Sequence, residues 1–533
     1  MSRALVFERD VEIPMRDGLS LRANVYRPLT KDRLPVIMTL GPYGKDIPLA
    51  LHDKFRGTDH FTKLGGGVFL NWETPDPEYW VARGYVVVRV DSRGSGTSPG
   101  VMGVFSAAQA VDYYDAIEWA AEQGWSSGRI GLLGISYYAM SQWAVAALRP
   151  PHLTAMIPWE GASDDYREIR RHGGILSSTF IKRWEASVDR VQFGRGSLSE
   201  AELTSNRVSV WDQAKAHPLD DEAYSGWFSD LSAIDVPFLS VGNWGNLLLH
   251  LRGNIEAFVQ ASSRQKWLRI IVGDHVEPFY SPAGLAWQER FFGHFLRGED
   301  TGWLAEPRVR YARRRGDDIE WRDAEDWPLP GTQWTSYALD AGQGSLSMTP
   351  PSASATAAYD APTGDIEFDS GPLDQELEIA GPVVLRLWVS SQSPDMDLYV
   401  WLRDLAPDGS ESMAVSPVGD EQPLAQGWLR VSHRKLDPVR CLRHRPFHAH
   451  DEEELLQRGE VVPVDVEIWP TSIVVQPGHH LVLGVSAHDH PKAHMPFGTD
   501  ADDRPPERFD GRNWVHTGPG HPSCLLLPVI PSS

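Results

Sequence analysis

The stretch Arg129-Ile130-Gly131-Leu132-Leu133-Gly134-Ile135-Ser136-Tyr137-Tyr138-Ala139-Met140 decides the fold. Arg129 to Ile135 reads as a buried strand. Beyond it Met140, Trp143, Ala144, Ala147 and Leu148 recur at i, i+3, i+4, i+7 and i+8, one apolar face of a helix. A serine at such a strand-to-helix junction sits on a tight turn. Its hydroxyl stands above the carboxyl ends of the strands, where the helix N-terminus favours developing negative charge. An N-cap serine is the ordinary alternative. Glycine two residues before Ser136, in this strand–turn–helix setting, favours a nucleophile. The residue after it, Tyr137, then offers its backbone N–H to an oxyanion.

Working outward, the alternation of strands and helices continues on both sides. Residues 5–27 read as two strands around Asp17-Gly18, followed by strands at Leu34–Leu40 and Tyr85–Val90. The run YVVVRV suits a strand covered on both faces. Val111, Tyr114, Ile117 and Ala121 mark a helix. Strands follow at Leu153–Pro158, Val236–Gly242 and Leu268–Val272, then a helix at Trp287–Leu296. This is the pattern of a mostly parallel α/β sheet. Residues 161–235 break the alternation and read as a mainly helical insertion of the kind that caps a site.

From about residue 326 the character changes. Residues 341–375 are rich in Gly, Pro, Ser and Ala, and short strands without helices follow. Leu385, Leu387 and Val389 alternate, as do Leu398, Val400 and Leu402; further strands are expected at Val461–Ile468 and His480–Val485. The expectation is a β jelly roll. The domain reading is therefore residues 1–160 as the first part of an α/β core, 161–235 as the cap, 236–325 as the second part of the core, and 326–533 as a jelly-roll β-sandwich.

Composition narrows the function classes. The net charge of −22 leaves no general basic field, which excludes nucleic acid as a partner. Two cysteines, Cys441 and Cys524, build neither a disulfide framework nor a zinc ribbon. Met1–Asp10 has no apolar core of a secretory leader, and no stretch approaches 18 apolar residues. The expected setting is cytoplasmic, away from membranes. Among the histidines at 444, 448, 450, 488, 490 and 494 no pair at i, i+4 spacing has a third ligand in an evident constellation, and they read as solvated loop residues. The acidic run Asp451–Glu454 reads as a solvated helix start. No metal or cofactor is expected, with structural calcium in the Asp-rich C-terminal loops left open.

Several motifs together resemble the cocaine esterase and X-prolyl dipeptidyl aminopeptidase (CocE/NonD) family of α/β-hydrolases. G-I-S-Y-Y-A at 134–139 is similar to that family's G-x-S-Y-x-G, with Ala139 in place of its final glycine. Val11–Gly18 resembles the family's opening strand and turn, Asp91–Gly96 its D-x-R-G-x-G loop, and Ser163–Arg167 the segment after its next strand. Asp395–Leu398 with Leu402–Asp404 resembles its C-terminal jelly roll. The resemblance spans nearly the whole chain. It implies a serine hydrolase in which the Tyr43 hydroxyl, in Gly41-Pro42-Tyr43-Gly44, is the second oxyanion donor. It also implies that His275, directly after a strand, is the base.

The acid departs from that pattern. The family's G-W-x-D loop is matched by Gly242-Asn243-Trp244-Gly245-Asn246, which holds no carboxylate. Glu160, in Ile157-Pro158-Trp159-Glu160-Gly161, ends the strand after the nucleophile helix and keeps the order serine, acid, histidine. Asp274 and an asparagine such as Asn246 are the alternatives, and a Glu160 ion pair with Arg167 or Arg170 is the structural one. Trp159 and Trp244, at strand ends, are candidates for a pocket wall. The combined expectation is an ester hydrolase acting on a small molecule through an acyl-enzyme. Two alternatives stand beside it: an X-Pro aminopeptidase or amidase, with Asp164, Asp165 and Glu168 gripping an ammonium, and a non-catalytic carbohydrate binder. Sheet edges leave a homodimer open.

Overall fold

The computed structural model describes residues 4–49, 67–227 and 230–531. The opening three residues of the Met1–Asp10 stretch and the last two of the expected 326–533 unit therefore lie outside the described residues. Among the described residues no helix is long and apolar enough to cross a membrane.

Among the described residues twelve strands carry the first two-thirds of the chain: β1 (Leu5–Pro14), β2 (Ser20–Pro28), β3 (Leu34–Gly41), β4 (Val86–Asp91), β5 (Ser126–Ile135), β6 (Leu153–Trp159), the short hairpin β7 (Arg171–His172) and β8 (Ile175–Leu176), then β9 (Phe238–Asn243), β10 (Lys266–Ile271), β11 (Val309–Arg315) and β12 (Asp318–Ala324). Ten of them form one sheet in the order β1-β2-β4-β3-β5-β6-β9-β10-β11-β12. The run from β4 to β11 is parallel, with β1, β2 and β12 antiparallel at the edges.

Alternation along each central strand explains why both faces are covered. Val36, Met38, Val88, Ile130 and Leu132 pack with helices α1 (Ala107–Glu122), α2 (Tyr137–Ala146) and α4 (Leu251–Gln260). Ile37, Val87, Leu133 and Ile135 pack on the other face with Phe291, Phe292 and Leu296 of α5 (Pro282–Arg297). Every residue of α2 is buried, because its flank away from the sheet lies beneath the cap, where Met140 and Ala144 meet Ile181 of α3 (Ser178–Asp189).

The C-terminal region is an eleven-stranded sheet in which Cys524–Ile530 pairs with both Gln333–Asp340 and Leu377–Ser391, so the sheet closes on itself. Leu398, Val400 and Leu402 fill its interior, while Tyr399 and Trp401, on the opposite face, join the core shared with the first sheet. The small-residue stretch 341–375 itself carries strands at Ser345–Ser347, Ala355–Asp360 and Asp365–Pro372. Asp451–Glu454 starts no helix; Glu453 instead pairs with Arg508. His448 and His450 are buried rather than solvated, since the cap covers the loop that carries them and Arg167 of the cap donates to the His448 carbonyl.

The cap, the core and the C-terminal region meet at His172. Its Nε2 donates to the Leu248 carbonyl at 2.6 Å, and its ring stacks on Phe497 at 4.2 Å. Buried arginine–carboxylate pairs brace the same junction: Arg171 with Asp503 at 2.8 Å, and Arg430 with Asp397 at 2.9 Å and with Asp503 at 2.8 Å. Burial lowers the His172 pKa from 6.5 to about 4, against the opposing pull of the Leu248 carbonyl. On acidification the unfolded chain takes up this proton first. The stability it guards is full above 6.5 and is lost toward 4, by at most about 1.4 kcal/mol per pH unit. Calorimetric melting at pH 7.5 and 4.5 should show wild type losing more Tm than His172→Gln, which keeps a donor and does not titrate; equal losses would refute this linkage.

Candidate active site

Ser136 connects β5 to α2 with φ 58° and ψ −118°, a conformation that costs a non-glycine residue about 1–3 kcal/mol. The strain is held by its backbone N–H, which donates to the carbonyls of Trp159 and Glu160, each at 3.0 Å. Space around the turn comes from glycines elsewhere. Tyr138 occupies the position where a G-x-S-x-G turn has glycine. Its ring lies where a Cβ on Gly41 would come within 2.5 Å of Cε1, and a Cβ on Gly134 would come within 2.5 Å of the Tyr138 Cβ. Ala139, the departure from the family motif, fits because Gly161 faces it; a Cβ there would sit 2.8 Å from the Ala139 Cβ.

Strand register brings the remaining groups to the same edge. Ile135 pairs with Trp159, Trp159 with Val241, and Asn243 with Ile271. The residues just beyond these strands therefore emerge side by side. Glu160 has 0% of its surface exposed. Its Oε2 accepts from Asn246 Nδ2 at 2.7 Å and from His275 Nδ1 at 3.0 Å, and its Oε1 from Asn243 Nδ2 at 3.2 Å. Neither Arg167 nor Arg170 is its partner. The His275 backbone N–H donates to the Pro417 carbonyl of the C-terminal region at 3.0 Å, and its Nε2 meets Glu73 Oε1 at 3.0 Å. Burial depresses the His275 pKa, yet the charges of Glu160 and Glu73 outweigh burial and lift it to about 9.

Ser136 Oγ is contacted by a different histidine: His250 Nε2 lies 3.1 Å away. The two imidazoles are nearly parallel, 12° apart, with ring centres separated by 5.9 Å. Tyr43 faces the same space. Its hydroxyl oxygen accepts from Trp184 Nε1 of the cap at 2.8 Å. An indole N–H only donates, so the Tyr43 proton is left to point elsewhere. Burial pushes that hydroxyl's pKa well up and keeps it a donor.

These groups open onto a cavity of about 310 Å³ with walls from all three regions: Ser136, Tyr43, Glu73, His250 and His275 of the core, Phe180 and Trp184 of the cap, and Val418 and Met495 of the C-terminal region. Ser136, His275 and Tyr43 thus lie together, with Glu160 behind His275. The Tyr137 backbone begins α2, while its hydroxyl turns into the cap core against Gln109 and the Phe105 N–H. Trp159 and Trp244 are not pocket residues. Both have 0% exposure; Trp159 packs on Phe279 and Trp287, and Trp244 donates to the Ala312 carbonyl, because strand-end residues pointing under the sheet edge meet core rather than cavity. Asp274 accepts from the N–H groups of Val276 and Glu277. Sequence reasoning missed Glu73 and passed over His250. The latter carries a signal, since it stands four residues beyond Asn246 in the loop where the family places its acid.

Residues 17–277 match the X-Pro dipeptidyl-peptidase (S15 family) model, and residues 301–526 match the X-Pro dipeptidyl-peptidase C-terminal non-catalytic domain. The crystal structure of a CocE/NonD family hydrolase from Staphylococcus aureus superposes with a TM-score of 0.90 at 34% identity, covering 99% of this chain and 94% of that one. The chain belongs to the CocE/NonD family. Cocaine esterase of a Rhodococcus strain is 28% identical over 98% of each chain. An α-amino acid ester hydrolase, at 18% identity and a TM-score of 0.72 over 99% of this chain and 97% of that one, shares the fold. This CocE/NonD chain is accordingly a serine hydrolase of the S15 kind, an α/β-hydrolase with a sheet-rich C-terminal region.

The two carboxylates that raise the His275 pKa make a direct expectation. Replacing either by its amide, Glu160→Gln or Glu73→Gln, should lower the imidazole's titration midpoint from about 9, each by about one pH unit or more. Nitrogen-15 NMR of histidine-labelled protein reads this, and an unmoved midpoint in both variants would show that neither carboxylate sets the charge.

Proposed function

We propose that this chain hydrolyses carboxylic esters through an acyl-enzyme on Ser136. His275 Nε2 leaves Glu73, takes the Ser136 proton as Oγ attacks the carbonyl, and returns it to the leaving alcohol. Glu160 holds Nδ1 and stabilises the imidazolium. The Tyr137 N–H and the Tyr43 hydroxyl receive the oxyanion. Water then attacks the acyl-enzyme with His275 as base. The C-terminal region reads as the jelly roll expected from sequence. The free thiols of Cys441 and Cys524 suit a reducing, cytoplasmic compartment.

The observation that carries the ester reading concerns the cap acids. Asp164 pairs with Arg167 at 3.0 Å, Asp165 with Arg170 at 2.8 Å and Glu168 with Arg252 at 2.8 Å. None of the three lines the Ser136 cavity, so the carboxylates expected to grip a substrate ammonium are occupied elsewhere. Glu73, on the cavity wall, supports the aminopeptidase reading as the second choice.

Two panels separate them: p-nitrophenyl esters of increasing acyl length, and aminoacyl- and X-Pro-p-nitroanilides with free or blocked amines. We expect ester turnover that Ser136→Ala abolishes. Turnover of free-amine anilides alone would replace the ester reading by the peptidase one. Because the free enzyme's base is protonated below its pKa, kcat/KM should rise with pH toward about 9, and Glu73→Gln should move that limb to lower pH. A limb near 6.5 in both proteins would mean that the Glu73 contact does not persist in solution.

A further inference from the structure

His250 is held at both ring nitrogens. Its Nδ1 accepts the Ala162 N–H at 3.1 Å. A nitrogen that accepts carries no proton, so the proton of the neutral ring lies on Nε2. Nε2 is the atom 3.1 Å from Ser136 Oγ. The contact is therefore Nε2–H donating to the serine oxygen, and in this tautomer His250 cannot take the serine's proton.

The surroundings keep the ring neutral. It is buried, with 2% of its surface exposed, and the parallel ring of His275 brings a positive charge to its face. Burial and that charge both hold its pKa well below the usual histidine value. The carboxylates of Glu160 and Glu73 are engaged by His275, at its Nδ1 and its Nε2. The two histidines thus divide the work that one imidazole performs in a simple triad.

We propose that His250 is a catalytic residue of the Ser136 reaction, a fixed neutral donor whose Nε2–H stabilises negative charge on Oγ both when that oxygen attacks and when it leaves. No proton is transferred at His250 in either step. During acylation the serine proton goes to His275 while Oγ gains negative charge against the Nε2–H. In deacylation the carbonyl carbon–Oγ bond breaks, and the same donor meets the departing oxygen before His275 reprotonates it. The donor also fixes an Oγ lone pair, which leaves the serine's own hydrogen to turn toward His275. This inference rests on Ser136 being the nucleophile.

A purely structural role is the rival, because the Ala162 contact tethers the segment that carries Glu160. Two substitutions separate the roles. His250→Asn keeps an acceptor where Nδ1 stands and loses the reach to Oγ. His250→Gln places an amide donor near the Nε2 position and loses the Nδ1 acceptor. On p-nitrophenyl esters, kcat of His250→Asn should fall about a hundredfold with KM within a few-fold. His250→Gln should retain the larger share, and the acid limb of the pH profile should stay in place in both. Near-normal His250→Asn with impaired His250→Gln, or a shifted acid limb, would make the tether the whole role and overturn the proposal.

A measurement on the wild type guards against misfolded variants. Nitrogen-15 NMR should find His250 as the Nε2–H tautomer from pH 6 to 9, and an Nδ1–H tautomer or an imidazolium would overturn the proposal. A fluorophosphonate adduct on wild-type Ser136 is the control. Without that adduct and without ester turnover the nucleophile reading itself fails, a result distinct from either outcome at His250.

Discussion

The site is organised around one buried carboxylate. Glu160 is removed from water entirely, and a carboxylate so placed is tolerable only when donors replace its hydration. Three do: Asn243, Asn246 and His275. Asn243 and Asn246 come from the end of β9 and its loop and His275 from the segment after β10, so satisfying this single group fixes how β6, β9 and the segment after β10 stand relative to one another. The end of β6 also supplies the carbonyls that hold the Ser136 backbone, through Trp159 and Glu160. Three of the described non-glycine residues with positive φ, Ser136, Glu160 and Glu73, sit in this one cluster. Strain of that kind persists only where the surroundings over-determine it, and here the carboxylate's donors and the serine's acceptors are the surroundings.

The C-terminal region is part of this arrangement rather than an appendage. The Pro417 carbonyl receives the His275 backbone N–H, and Gln422 donates to the Gly245 carbonyl, in the loop between Asn243 and Asn246. The cap closes the opposite side through Trp184 on Tyr43. Cavity shape is thereby set by three regions distant in sequence, and the ion pairs of Arg171 with Asp503 and of Arg252 with Glu467 couple those regions. Buried arginine–carboxylate pairs add little net stability over apolar packing but penalise misregistered docking heavily, because a displaced region would leave a charge unpaired.

What could be read from sequence follows from how local each signal is. Ser136 was legible because a strand, a tight turn and a helix lie within a dozen residues. The alternation of Leu385, Leu387 and Val389 likewise marks an inward face without knowledge of partners. His275 and Glu160 stand at strand ends, and for His275 the family resemblance pointed to the same position. Glu73 was not legible, because nothing around it marks a strand end; only the fold brings it to His275 across the sheet edge. Trp159 and Trp244 misled for the converse reason, since a strand end does not say whether a side chain turns up to the cavity or down into the core. The buried His448 and His450 looked like solvated loop residues because their cover comes from a cap more than two hundred residues earlier.

The absence of a carboxylate from the Gly242–Asn246 loop also has a physical explanation. β6 and β9 are adjacent, so a residue just beyond either strand reaches the Nδ1 side of the histidine that follows β10. Only one negative charge is wanted there, since two carboxylates sharing that small buried volume would repel and one would take up a proton. With the Glu160 carboxylate just beyond β6, the β9 end and its loop supply donors, and asparagine provides a donor of aspartate's size. Asn246 therefore stands as Glu160's hydrogen-bond partner, not as a substitute for an acid. The remainder of that loop, from Leu247 to His250, carries a second histidine up to the serine. In this chain the one neutral loop after β9 both gives Glu160 its amide donors and carries His250 to Ser136.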